Sequence, residues 1–169
     1  MLRSLAIQAV IFCIAFFLLS MLRENSMLAT DTQLSEVTLV NQSINIDTVP
    51  TLLGKPISLY AQDKTTVLYF FAPWCQVCHV SIGNLQALYQ KNEQIDVIAI
   101  AMDYTSINEV KRFTNKHKLT FPIALGNEAI KQVFEISGYP SYYVLSEENV
   151  IIAKSMGYSS ELGLYLRSL

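Results

Sequence analysis

A pair of cysteines at a strand-to-helix junction constrains this chain more than any other feature. Residues 65–71, Thr-Thr-Val-Leu-Tyr-Phe-Phe, form a continuous β-branched and aromatic run, which predicts a strand buried on both faces. Ala72-Pro73-Trp74 interrupts that run. Beyond Cys75, apolar residues recur at the 4-3-4 spacing of one helix face, at Cys78, Ile82, Leu85 and Tyr89. The sequence therefore places Cys75 and Cys78 where a buried strand becomes a helix.

The start of a helix favours a thiolate, because its first N–H groups are free and the backbone dipole is positive there. A thiolate at Cys75 would be stabilised in this position. Cys78 lies one turn further on, close enough to attack a mixed disulfide on Cys75. A C-x-x-C beside a β-α-β pattern is typical of a thioredoxin-like redox site. We therefore expect Cys75 and Cys78 to be catalytic, with their own disulfide as the redox group and no metal or other cofactor.

The same residues resemble a known family. Residues 71–78, Phe-Ala-Pro-Trp-Cys-Gln-Val-Cys, look like the thioredoxin superfamily active site. They most resemble its membrane-anchored periplasmic branch, the TlpA-like protein disulfide reductases, which include cytochrome c maturation and copper-sensitivity suppressor proteins. Gly138-Tyr139-Pro140 resembles the cis-proline loop of that superfamily. The resemblance covers residues 34–169.

This resemblance implies a fold and further site residues. The fold is α/β, with a central mixed sheet flanked by helices. Pro140 would pack beside the cysteines, and the backbone of Tyr139 would pair with the substrate chain. Trp74 would help to shape the contact surface, while Gln76 and Val77, between the cysteines, would tune the reduction potential.

The chain departs from the family pattern at two positions near the cysteines. Tyr69 stands where thioredoxins usually have an aspartate, and Ser81 where some TlpA-like reductases have a glutamate. Deprotonation of Cys78 must then use water or another group, such as His79. We expect His79 to be exposed and uninvolved, and His117 to be a surface residue at a helix end.

Other interpretations of the cysteines remain open. Cys75-Gln-Val-Cys78-His79 also matches C-x-x-C-H, the attachment motif of a c-type haem, although its position after a buried strand is unusual for one. A single C-x-x-C cannot complete a structural zinc site. A different class of protein would be a thioredoxin-like binding or scaffold protein whose cysteines form a stable disulfide.

The N-terminal segment reads as a membrane anchor. Leu5 to Leu22 is apolar apart from Gln8 and Ser20, and as a helix it would be about 27 Å long, near the thickness of a bilayer core. No small-x-small cleavage pattern follows it. We therefore predict an uncleaved transmembrane helix within residues 1–24, a linker at 25–33 and one thioredoxin-like domain at 34–169. Cys13, the third cysteine, should behave as a small apolar residue.

The pattern within the domain predicts a β lead-in followed by β-α-β-α-β-α-β-β-α. Residues 34–60 read as a small β hairpin and a lead-in strand. Ser106 and Glu109 form a capping-box pattern before one helix. Asn127 should cap a short helix, and Ser159 or Ser160 a final one. The final helix should carry one apolar side, made by Leu162, Tyr165, Leu166 and Leu169.

Charge and resemblance together set the expected function. The formal net charge of −2 gives no electrostatic reason to expect nucleic-acid binding. The resemblance implies a thiol-disulfide oxidoreductase that reduces periplasmic proteins from the bacterial inner membrane, with its domain in the periplasm. Its partners would be disulfide-containing periplasmic proteins and a membrane thiol transporter that donates electrons.

Overall fold

The chain folds around a five-stranded mixed sheet. A computed structural model describes residues 7–8, 10–12, 14–15, 26–40 and 46–169. The sheet order is β3-β2-β1-β4-β5; β1, β2 and β3 run parallel, and β4 is antiparallel to both β1 and β5. The elements are α1 (Leu34–Val40), β1 (Thr65–Phe71), α2 (Gln76–Lys91), β2 (Ile95–Ala101), α3 (Ile107–Lys116), β3 (Ile123–Leu125), α4 (Glu128–Val133), β4 (Ser141–Leu145), β5 (Ile151–Met156) and α5 (Glu161–Arg167).

Strand β1 lies at the centre of the sheet and divides the core in two. Its side chains alternate between the faces, as a strand requires. Val67, Tyr69 and Phe71 pack with buried residues of α2, α3 and α5. Leu68 and Phe70 pack on the other face with α1 and α4. The predicted α/β class, the buried first strand and the order of strands and helices after it are all confirmed.

The predicted N-terminal β hairpin is wrong. Residues 34–40 form helix α1 instead. In the described part of residues 34–60, strand-like pairing is limited to isolated bridges, such as the antiparallel bridge between Val49 and Ile57. The error has a physical reason, because a short run such as Val-Thr-Leu-Val carries no period long enough to separate strand from helix.

Residues 26–33, predicted as a linker, contact the domain. Met27 is buried in the core beneath α1 and α4. The amide of Asp31 donates to the Ile151 carbonyl at 2.8 Å, and the Ile151 amide donates to the Thr32 carbonyl at 2.9 Å. This segment therefore lies along β5 and adds backbone hydrogen bonds to the edge of the sheet.

Most of the predicted membrane anchor, residues 1–24, lies outside the described residues, as does Cys13. The described positions within it, 7–8, 10–12 and 14–15, are helical and exposed. Across the described part of the chain, no helix has both the length and the apolar character needed to span a bilayer.

The helix starts follow the predicted caps with one exception. Asn127 accepts a hydrogen bond from the Ile130 amide at 2.9 Å, and Ser160 accepts one from the Gly163 amide at 3.2 Å. Ser106 is the N-cap residue of α3 but makes no side-chain cap bond. The predicted capping box is wrong, because the Glu109 carboxylate instead binds the backbone N–H and the hydroxyl of Thr105.

The apolar side predicted for α5 is also wrong. Leu164 is buried, whereas all four residues of the predicted apolar side are exposed: Leu162, Tyr165, Leu166 and Leu169. Helix α5 has only seven residues, so its sequence contains too few turns to indicate which side faces the core.

Two histidines join α2 to α3, contrary to the expectation that both lie free at the surface. The Nδ1 atom of His79 lies 2.7 Å from Nε2 of His117, and Nε2 of His79 lies 3.0 Å from the carbonyl oxygen of Pro73. A carbonyl only accepts, so His79 donates through Nε2 and accepts at Nδ1 from the Nε2–H of His117. Both rings also pack on Phe113.

Acid should weaken the fold through this imidazole pair. The pKa of each imidazole is lowered from its ordinary value of 6.5, first by burial and then, for His79, by Lys116 and, for His117, by His79. The unfolded chain therefore binds protons at a higher pH than the folded chain. The contribution of the two neutral imidazoles to the stability of the fold is present above about pH 6.5. It is lost as the pH falls through the pKa values that His79 and His117 have in the folded chain.

We expect the urea concentration at the unfolding midpoint to decrease when the pH is lowered from about 7.5 to about 5. The decrease should be smaller in a His117→Gln variant. Comparing the pH dependence of the midpoint in the two proteins removes the contribution of other titrating groups. An equal pH dependence in the two proteins would contradict the role given to the imidazole pair.

Candidate active site

The two cysteines lie at the carboxyl end of β1, and Cys75 is the N-cap residue of α2. The Cys75 amide donates to the Ala72 carbonyl at 3.0 Å, which closes the turn after the strand. The Cys78 amide donates to the Cys75 sulfur at 3.2 Å. The sulfur thus satisfies one of the free N–H groups of the helix start, the role usually taken by a serine or aspartate oxygen. The Cys75 sulfur thus lies at the positive end of the helix dipole.

The proline loop lies against the same sulfur. Strand β4 pairs antiparallel with β1, and Ser141 is opposite Phe70, so the residues before β4 reach the end of β1. The Tyr139–Pro140 bond is cis, as predicted. The Cys75 sulfur lies 3.5 Å from the carbonyl oxygen of Tyr139. Five predicted site residues therefore meet at one edge of the sheet: Trp74, Cys75, Cys78, Tyr139 and Pro140.

Access to the two sulfurs differs. Cys78 is fully buried, and Cys75 retains 7% of its surface exposed. The residues around Cys75 are open, since Trp74 is 60% and Val77 44% exposed and Gln76 is exposed as well. A groove of about 500 Å³ is lined by residues that include Val77, Tyr139 and Tyr158. A partner can reach the pair through Cys75 alone.

Burial raises the pKa of the Cys78 thiol, and a hydrogen bond to Cys75 raises it further. Cys78 is therefore a thiol at neutral pH and must lose its proton before it can attack. The two cysteines are free thiols in this structure. Cys75 is therefore placed to react first, and the buried Cys78 can react only in a second step.

The three groups that the sequence singled out near Cys78 are not placed to take its proton. Burial raises the pKa of Tyr69, a rise that Ser81 partly offsets, so the phenol stays neutral. The Ser81 hydroxyl is buried and contacts the backbone of Ser159. His79 is partly buried, not exposed, and both its ring nitrogens are occupied by Pro73 and His117. The same occupancy disfavours the c-type haem interpretation, which needs a free nitrogen on His79.

Sequence reasoning missed Asp103, which contacts two of the predicted site residues. Its backbone oxygen accepts from the Trp74 indole at 2.9 Å, and its carboxylate accepts from the Tyr139 hydroxyl at 3.0 Å. A signal was present, because Asp103 follows β2, and the carboxyl ends of parallel strands meet at one edge of a sheet.

Curated proteins similar to this chain include a thioredoxin-like protein and a thiol-disulfide oxidoreductase. The chain is 32% identical over 106 residues to the thioredoxin-like protein YneN of Bacillus subtilis, an alignment that covers 60% of this chain and 62% of that protein. It is 27% identical over 113 residues to the thiol-disulfide oxidoreductase ResA of Bacillus thuringiensis, covering 64% and 65% respectively. The chain thus spans less than two thirds of the length of these relatives.

The chain also resembles a solved structure and matches a protein-family model. The crystal structure of StoA from Bacillus subtilis superimposes with a TM-score of 0.65 at 22% identity, covering 72% of this chain and 95% of StoA. That likeness shows the fold alone, which is thioredoxin-like. The model of the AhpC/TSA family matches residues 40–154, more than half of the chain. The chain belongs to the AhpC/TSA family.

Proposed function

We propose that this protein is a thiol-disulfide oxidoreductase that uses Cys75 to exchange with a partner disulfide and Cys78 to complete the exchange. The observation that carries the proposal is the position of the Cys75 sulfur. It caps α2 by accepting a hydrogen bond from the Cys78 amide, it lies 3.5 Å from the Tyr139 carbonyl oxygen, and its residue follows the exposed Trp74. The relatives named thiol-disulfide oxidoreductase support the same chemistry.

The exchange takes two steps in the reducing direction. The Cys75 thiolate attacks one sulfur of the partner disulfide, which forms a mixed disulfide and releases the other partner sulfur as a thiolate. Cys78 then gives its proton to that thiolate or to water, and its own thiolate attacks the Cys75 sulfur. This closes the Cys75–Cys78 disulfide and releases the second partner thiolate. Two electrons pass to the partner, and no other redox group takes part.

The surface around Cys75 suits a polypeptide substrate. Trp74 and Val77 offer exposed apolar contacts on either side of the sulfur. The groove beside Val77 has room for an extended chain, which would pair with the Tyr139 backbone as the family resemblance implies. Gln76 lies at the exposed start of α2, where it would contact the same substrate.

We further propose that the protein is a TlpA-like reductase, held at the bacterial inner membrane by residues 1–24, with its domain in the periplasm. The support is the apolar run from Leu5 to Leu22 and the resemblance of residues 71–78. Its substrates would be disulfide-containing periplasmic proteins. A membrane thiol transporter would return electrons to the Cys75–Cys78 disulfide.

Single cysteine substitutions test the proposed roles. Cys75→Ser should reduce insulin disulfide reduction to the background rate, because the attacking sulfur is lost. Cys78→Ser should instead accumulate mixed disulfides with protein substrates, visible on non-reducing gels. Cys13→Ser is the matched control and should retain activity.

Full activity of Cys75→Ser would contradict the mechanism. So would a Cys75–Cys78 reduction potential below about −300 mV, which is typical of a structural disulfide and would favour the scaffold interpretation.

The anchor is tested by extraction of cell membranes with alkaline carbonate. We expect the full chain to stay in the pellet, because an apolar helix of this length gives effectively irreversible insertion. An Ile11→Lys, Ile14→Lys variant should move to the supernatant, because two charges in the run oppose insertion. Release of the unaltered chain into the supernatant would exclude a spanning anchor.

A further inference from the structure

Asp103 lies beside the active site because of the sheet topology. It comes two residues after the end of β2, and β2 runs parallel to β1 with Ala101 opposite Phe71. The carboxyl ends of both strands therefore meet where Cys75 begins α2. The backbone of Asp103 is left-handed, with a φ of 45°, a conformation that aspartate tolerates better than most residues.

Three side chains converge on Asp103. The Trp74 indole donates to its backbone oxygen at 2.9 Å. One carboxylate oxygen of Asp103, Oδ2, accepts hydrogen bonds both from the Tyr139 hydroxyl at 3.0 Å and from the Lys131 ammonium at 2.7 Å. Asp103 is an exposed residue, with 34% of its side chain open to solvent. Such charge-assisted bonds are stronger than neutral ones.

The two aromatic partners stand on the chain next to the reactive groups. Trp74 directly precedes Cys75, and Tyr139 directly precedes Pro140. Their rings meet edge to face at 6.0 Å between centroids, and the Lys131 ammonium lies 5.8 Å from the centre of the Tyr139 ring. Asp103 therefore fixes both side chains that border the Cys75 sulfur.

We propose that Asp103 is a positioning residue for polypeptide substrates. It holds the Tyr139 ring, and with it the backbone that lines the groove, in the arrangement that an incoming chain must meet. It touches neither sulfur, so its effect falls on recognition of the partner and not on thiol exchange itself. This inference rests on the proposed function.

A surface ion pair between Lys131 and Asp103 would by itself contribute little. The geometry goes beyond an ion pair, because the same oxygen also binds a tyrosine whose backbone carbonyl lies 3.5 Å from the Cys75 sulfur. Burial and the Asp103 hydrogen bond raise the pKa of Tyr139, so its hydroxyl remains a donor throughout the neutral range.

The test compares two disulfides of different size in the full chain. Under the proposal, insulin as a polypeptide contacts the groove, whereas hydroxyethyl disulfide is small enough to react with Cys75 without it. Asp103→Gly keeps the left-handed backbone and the Trp74 contact but removes the carboxylate. We expect the KM for insulin to rise about tenfold, and the ratio of the insulin rate to the hydroxyethyl disulfide rate to fall accordingly.

Two more variants separate positioning from a structural effect. Asp103→Asn should give a smaller loss, because its amide oxygen can still accept from Tyr139. The double variant Asp103→Gly, Tyr139→Phe should raise the KM for insulin no more than either single change does. Both changes remove the same hydrogen bond, the one from the Tyr139 hydroxyl to the Asp103 carboxylate. The control is Asp63→Gly, which removes an exposed aspartate with a φ of 62° before the opposite end of β1.

The outcomes are distinct. An equal fall in both rates, additive effects of Asp103→Gly and Tyr139→Phe, or an unchanged KM for insulin would each overturn the positioning role. If the unaltered protein reduces neither disulfide, the proposed function fails instead.

Discussion

The hydrogen bond from the Cys78 amide to the Cys75 sulfur is the contact on which the rest of the site depends. It forms because β1, buried on both faces, ends at Phe71, and α2 begins five residues later, at Gln76, with N–H groups that need an acceptor. Sulfur supplies that acceptor. The residue that caps the helix is therefore also the residue that we propose reacts. Folding of the strand-to-helix junction is enough to place its sulfur for disulfide exchange.

Sheet order brings the remaining groups to this junction. Antiparallel β4 carries Tyr139 and Pro140 to the end of β1, and parallel β2 carries Asp103 there from the other side. Because β1 has no exposed residue, neither neighbour can slip in register without losing one of the two cores. The site is thus assembled from the ends of three neighbouring strands of a rigid sheet, with short connections.

The sequence predicts those parts whose patterns are long. β1 and α2 together span more than twenty residues with clear periodicity, and the C-x-x-C and the Gly-Tyr-Pro mark the chemistry. Short segments were ambiguous, as α1 and α5 show. The pair His79–His117 could not be predicted, because it joins single polar residues of two different helices. The strand pattern indicates the sheet edge on which Asp103 lies, but only the packing shows that its carboxylate binds Tyr139.

The depth of Cys78 has a consequence for oxidative damage. Peroxides attack an accessible thiolate and convert it to a sulfenic acid, which further oxidant drives irreversibly to sulfinic and sulfonic acids. In this protein the oxidant would meet Cys75 first, since Cys78 is shielded from solvent. The hidden thiol, one helical turn away, can condense with that sulfenic acid to give a disulfide and water. Burial of the second sulfur thus protects the first from over-oxidation.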